Sequence, residues 1–150
     1  MRSVLLVTLL CSSAVAQYNA ADTLKAIRRV ETGGQPNQGI GARGDNGNAI
    51  GPFQIWRIYH TDAAERDKSL TDYKRCSGSL DYSQRVVRAY MRRYAGASWK
   101  RLQGNLGTIQ DVERVARIHN GGPRGCRKTA TLGYWRKVRK VLRFISRKSQ

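Results

Sequence analysis

In Val30-Glu31-Thr32-Gly33-Gly34, followed by Gly44-Asp45-Asn46-Gly47-Asn48-Ala49-Ile50-Gly51-Pro52-Phe53-Gln54-Ile55, a carboxylate closes an apolar helix, a glycine-rich excursion carries a second carboxylate, and an apolar segment returns. Upstream of it, Asp22 or Thr23 is placed to cap a helix with apolar positions Leu24, Ile27 and Val30. Gly33-Gly34 stops that helix, because glycine takes the left-handed conformation that closes a last turn. Glu31 follows Ile27 by four residues and Leu24 by seven, so it shares their face. Residues 34–51 are rich in glycine and asparagine, which suits a loop or a small hairpin. Pro52 is suited to open a second helix, with Phe53, Trp56 and Tyr59 spaced for one face.

Outward from there the chain reads as helical. Residues 61–80 are polar and irregular. Asp81 is placed to cap a helix whose stripe is Val86, Val87, Tyr90, Met91 and Tyr94. Thr108-Ile109-Gln110-Asp111 has the form of a capping box before Val112, Val115, Ala116 and His119, and Asn120-Gly121-Gly122-Pro123 ends that helix. Trp135, Val138, Val141, Leu142 and Ile145 line a basic C-terminal helix. The expected architecture is mostly α in a single domain, with a small β-hairpin or sheet near residues 38–55.

The 150-residue chain is long enough for one core. Residues 1–16 read as a secretory leader: Arg2, an apolar run too short to span a bilayer, then Ala14-Val15-Ala16 as a cleavage site. Cleavage after Ala16 makes residues 17–150 the mature, extracellular chain. Without Arg2 it retains 27 basic and 10 acidic residues, a charge of +17. Such a field draws anions: nucleic acid, anionic lipid, or the acidic polymers of a bacterial surface. No nucleic-acid motif accompanies the charge, so nucleic acid ranks last. Cys76 and Cys126 remain after cleavage, and an even pair in a secreted chain most simply forms one disulfide. Closing that loop would contribute about 4 kcal/mol. No CxxC occurs and both histidines stand alone, so neither a metal site nor a cofactor is expected.

The chemistry concentrates in the opening stretch. Burial on an apolar stripe disfavours the charged form of Glu31, and the C-terminal end of a helix disfavours it further, so Glu31 is suited to donate a proton. A helix-end glutamate paired with Arg28 is the plain reading of the same residue. Asp45 sits in a turn sequence where an exposed, ionised carboxylate is expected, and a purely structural Asx turn is its plain reading. One acid in an apolar setting and one in a polar setting are what glycosidic bond cleavage uses.

Val30-Glu31-Thr32-Gly33, Gly51-Pro52-Phe53-Gln54-Ile55, Val87-Arg88-Ala89-Tyr90-Met91, Ala116-Arg117-Ile118-His119-Asn120-Gly121-Gly122-Pro123-Arg124-Gly125-Cys126 and Leu132-Gly133-Tyr134-Trp135 occur in order. Together, over roughly residues 24–142, they resemble the invertebrate-type, destabilase-like lysozymes. The resemblance implies a lysozyme-like α+β fold and hydrolysis of the β-1,4 bond between N-acetylmuramic acid and N-acetylglucosamine in bacterial peptidoglycan. It implies Glu31 as general acid and, across a longer loop than is usual, Asp45 as second carboxylate. It further implies Gln54, Tyr59, His119 and Asn120 along the sugar cleft, although His119 also continues a buried helical face. The family is cysteine-dense, whereas only Cys76 and Cys126 match its cysteines here. Ala49 and Trp56 occupy places near where some relatives carry isopeptidase residues, which implies no such activity.

Two other functions compete. Glu-Thr-Gly-Gly followed by Gly-Pro-Phe-Gln-Ile also resembles lytic transglycosylases and goose-type lysozymes, which need the glutamate alone. A non-enzymatic, cationic antibacterial protein would use the last helix, where Arg136, Lys137, Arg139, Lys140 and Arg143 border bulky apolar residues on an anionic membrane.

Overall fold

The computed structural model describes residues 17–148, so the expected leader 1–16 lies outside the described residues. Seven helices appear among them: α1 (Ala20–Thr32), α2 (Arg57–Ala64), α3 (Arg75–Gly78), α4 (Leu80–Tyr94), α5 (Gly96–Gln103), α6 (Ile109–Gly121) and α7 (Thr131–Lys148). A small antiparallel sheet follows α1, in the order β1 (Arg43–Gly44), β2 (Ala49–Ile50), β3 (Ile55–Trp56). Its register pairs Arg43 with Ile50 and Ala49 with Trp56.

α1 starts earlier than the sequence suggested. Asn19, in extended conformation, is the cap: its side chain accepts from Asp22 N at 2.8 Å and donates to Asp22 Oδ2 at 2.9 Å. The good helix formers Ala20 and Ala21 place the first turn before Asp22, which becomes the partner of the cap. Leu24, Ala26 and Ile27 are buried, and Gly33 ends the helix in the left-handed region. Likewise α4 is capped by Ser79, which accepts from Tyr82 N, while Asp81 sits in the first turn beside the positive end of the helix. The capping box of α6, Thr108 with Asp111, forms as read.

Pro52 does not open a helix. Residues 51–54 form a turn, because Gln54 takes φ +46°, and Ile55–Trp56 are drawn into the sheet before α2 begins at Arg57. Phe53 and Tyr59 are buried while Trp56 is 45% exposed, so the three do not share a face. The turn depends on Gly51: at φ +73° a Cβ there would lie 1.8 Å from the carbonyl oxygen of Cys76. That close approach seats the sheet against α3. Tyr73 Oη ties it down by donating to the carbonyls of Asn48 and Ile55, each at 2.9 Å.

The core is continuous from α1 through α4, α5 and α6 to α7. Trp135, Val138, Leu142 and Ile145 of α7 are buried, with α1 and α6 as the packing partners. The apolar stripe of the basic C-terminal helix is therefore core. No helix among the described residues is long and apolar enough to cross a membrane.

The disulfide expectation fails: Cys76 and Cys126 are free thiols. Cys76 is sealed beneath α4, where Ser83 Oγ donates to its carbonyl at 2.7 Å. Cys126 lies on the turn before α7 with its thiol toward the Arg114 carbonyl. Parity of cysteines says nothing about whether the fold faces them together. Burial pushes the Cys76 thiol up to about 12, so it is unreactive. A reductant should therefore leave Tm unchanged, and of the two described thiols only Cys126 should react in the native state. A bridge would instead show as a fall of about 10 °C on reduction.

Candidate active site

Glu31 occupies the last turn of α1, where the helix meets the end of α6 and the start of α7. Tyr134 Oη donates to Glu31 Oε1 at 2.7 Å, and His119 Nε2 lies 3.3 Å from the same oxygen. No arginine contacts the Glu31 carboxylate among the described residues, which removes the pairing with Arg28. Its side chain keeps 16% exposure, enough to reach solvent. The other nitrogen of His119, Nδ1, is 3.2 Å from Tyr59 Oη. Both contacts are satisfied when Nε2 carries the proton toward the carboxylate and Tyr59 donates to Nδ1. Tyr59 in turn stacks on Tyr90, with ring centroids 3.6 Å apart.

These tyrosines are fixed donors. Burial, then the neighbouring Tyr90 and Glu31, push the Tyr59 phenol well above its ordinary value. Burial, then Glu31, do the same for Tyr134. Each loses its proton only far outside any working pH, so the network around Glu31 cannot switch off by phenol ionisation.

Asp45 lines the same pocket as Glu31 from the sheet region. It opens a short 3-10 turn between β1 and β2, it is exposed, and both it (φ +48°) and Asn46 (φ +54°) are left-handed. Such conformations cost on the order of 1–3 kcal/mol each and cluster where a site needs a side chain aimed. Gln54, in the same pocket, is left-handed too (φ +46°). Its Nε2 donates to Gly51 O at 3.0 Å, and its Oε1 occupies space that a Cβ on Gly44 would need, 2.3 Å away. Glycine at 44 thus lets Gln54 lie against the strand that carries Asp45.

Glu31, Asp45, Gln54, Tyr59, His119 and Asn120, the six residues singled out from the sequence, line one pocket of about 270 Å³ together with Trp56. A second hollow of about 310 Å³ shares Trp56, Tyr59, His119 and Asn120 and runs on past Ile58, Asp62 and Tyr90 to Pro123. The two make an elongated cleft with an exposed indole on its wall. His119 is only 4% exposed, and its two ring nitrogens face Glu31 and Tyr59. Sequence reasoning missed two parts. Trp56 was read as part of a helical stripe, and Tyr134 occupies a helix position indistinguishable from packing. A larger groove of about 670 Å³, between the end of α1 and α7, is lined by Arg29, Val30, Lys137, Lys140, Val141 and Phe144. It holds no acid, and its size does not make it the site of bond cleavage.

The chain as a whole is similar to known proteins. The Destabilase family profile covers residues 20–141. Lysozyme 1 of Crassostrea virginica is 42% identical over 116 residues, a match spanning 77% of this chain and 55% of that protein. Thus the chain spans about half the length of that relative. Invertebrate-type lysozyme 6 of Caenorhabditis elegans is 35% identical over 129 residues, covering 81% of this chain and 86% of that one. Among solved structures, Tapes japonica lysozyme superposes with a TM-score of 0.61 at 34% identity, covering 84% of this chain and 93% of that one. A chain in the complex of Aeromonas hydrophila PliI with Meretrix lusoria lysozyme gives the same TM-score, 0.61, at 33% identity.

Proposed function

The chain belongs to the Destabilase family of invertebrate-type lysozymes, which are glycoside hydrolases, and from that premise we propose that it is a secreted muramidase. The bond cut is the β-1,4 link between N-acetylmuramic acid and N-acetylglucosamine in bacterial peptidoglycan. The observation that carries this reading is the convergence of Glu31 and Asp45 on one pocket from separate elements, one semi-buried and hydrogen-bonded, the other exposed on a strained turn. Different environments are what divide two carboxylates into an acid and a base or nucleophile.

Tyr134 and His119 both engage Oε1 of Glu31, which reserves Oε2 for the transferable proton. In the first step that proton goes to the glycosidic oxygen as its bond to the anomeric carbon breaks. Asp45 attacks the anomeric carbon or balances its positive charge. In the second, Glu31 takes a proton from water as the water oxygen bonds to the anomeric carbon, releasing Asp45 with retention. Gln54, Trp56 and Asn120 border the place where the sugars lie. The large positive charge, +18 for the whole chain, speeds encounter with an anionic wall.

Mass analysis of the muropeptides released by the protein tests the reaction class. Reducing N-acetylmuramic ends are expected; anhydro-muropeptides would establish a transglycosylase that needs Glu31 alone. Asp45→Asn separates the same readings through rate, with an expected loss of about 10²-fold. Full activity in that variant would remove Asp45 from the mechanism. Tyr134→Phe deletes a positioning hydrogen bond to a carboxylate, so kcat should fall about tenfold with KM unchanged.

A further inference from the structure

Beyond the cleft, on the same loop that forms its end, lies a pocket of different character. Arg114, Pro123, Arg124, Cys126 and Arg127 enclose about 280 Å³. All three arginines are exposed, and among the described residues none of them is in an ion pair or over an aromatic ring. The acids bordering the adjoining hollow are already engaged: Asp111 by Arg101, and Glu113 by Arg117 at 2.8 Å. Three arginines therefore line one concavity whose lining includes no acid. Planar guanidinium forks are suited to carboxylates, which they bind with two parallel hydrogen bonds.

The pocket is joined to the cleft, because Pro123 lines both. Asn120, in the cleft, and Arg124, in the basic pocket, are four residues apart, a span of at most about 14 Å. An extended peptide of about four residues covers that distance. A ligand that fills both sites must carry sugar at one end and carboxylates a few residues away. Peptidoglycan has that chemistry, since its muramic acid bears a short peptide stem with free carboxylates. Resting on the muramidase reading above, we infer that the Arg114–Arg124–Arg127 pocket is a subsite for the carboxylates of the wall peptide stem, so that the protein selects peptide-bearing over naked glycan.

Binding, which needs no turnover, tests this in the full chain. The probes are a soluble muramyl disaccharide with its peptide stem and the same disaccharide without it, titrated calorimetrically at low salt. The expected preference for the stem-bearing ligand is about three- to tenfold, the scale of a few exposed guanidinium–carboxylate pairs. Arg114→Gln/Arg124→Gln/Arg127→Gln should abolish the preference. Arg136→Gln/Arg139→Gln/Lys140→Gln, an equal change of charge on exposed positions of α7, should keep it. Alkylation of Cys126, which lines the pocket while Cys76 is fully buried, should slow in the presence of the stem-bearing probe only. Equal affinity for the two disaccharides, including none for either, overturns the inference. So does equal loss in the α7 control, or a poly(glycerol phosphate) that displaces the stem-bearing probe at equal concentration, which would mark a general anion patch. Failure of the wild type to release any reducing sugar from peptidoglycan would instead overturn the muramidase reading, independently of the binding preference.

Discussion

Glu31→Gln is expected to slow glycan cleavage by about 10³-fold, equivalent to roughly 4 kcal/mol of barrier. The substitution keeps the shape of the side chain and its ability to accept the Tyr134 hydrogen bond, so the last turn of α1 should stay in place. On the proposed mechanism, what it removes is the proton that passes to the leaving oxygen and the base that later takes one from water. Stability should change by no more than about 0.5 kcal/mol, because no ion pair with a lysine or arginine is broken and the side chain is already partly solvated. Paired assays of turbidity loss of wall fragments and of urea unfolding separate the two effects. A variant within tenfold of the wild-type rate would show that Glu31 is not the acid. A normal unfolding midpoint alongside the lost rate would assign the loss to chemistry rather than to folding.

The same residue shows what the sequence could reveal. Glu31 was legible because the helical period places it on the Leu24–Ile27 face and the glycines fix where the helix ends. Both signals are local. Helices α4, α6 and α7 were legible for the same reason, since their stripes continue for three turns or more. The caps slipped by a few residues at Asn19 and Ser79, because several side chains in each stretch could accept from a free backbone N–H. Extended backbone at the cap, which propensity does not encode, decides among them. The helix expected from Pro52 was lost to non-local pairing. Strands of two residues show no alternation, and the left-handed Gln54 is stabilised by contacts to Gly44 and Gly51. Tyr134 is separated from Glu31 by 103 residues, and nothing in the helical pattern marks its hydroxyl as a partner. The cysteines fail for a related reason: their number is a property of composition, whereas pairing is a property of packing.

Asp111 is expected to be the most costly charged residue to remove, at about 3 kcal/mol at pH 7 for Asp111→Ala. Its side chain is only 3% exposed. Oδ2 accepts from Arg101 Nε at 3.0 Å, from Thr108 N at 2.9 Å and from Thr108 Oγ1 at 3.0 Å, while Oδ1 pairs with Arg101 Nη2. One carboxylate therefore caps α6 and links it to α5. Arg101, half exposed, regains water when the partner is lost, which keeps the cost below that of a fully buried pair. By comparison the Arg93–Glu65 pair, with Glu65 54% exposed, should contribute little, because water screens it. The Arg101 guanidinium, then the Thr108 backbone N–H, hold the Asp111 carboxyl well below the usual carboxylate range. A depressed folded-state value means the stabilisation is complete above the unfolded value of about 3.9 and is lost as pH falls through the folded one. The stability gap between wild type and Asp111→Ala should thus be constant from neutrality to about pH 5 and narrow below about pH 4. Urea unfolding of both proteins across that range measures it directly. A gap that stays unchanged down to about pH 2 would show that Asp111 stabilises through packing alone. One that widens in acid would mean that the pair raises the carboxyl rather than lowering it.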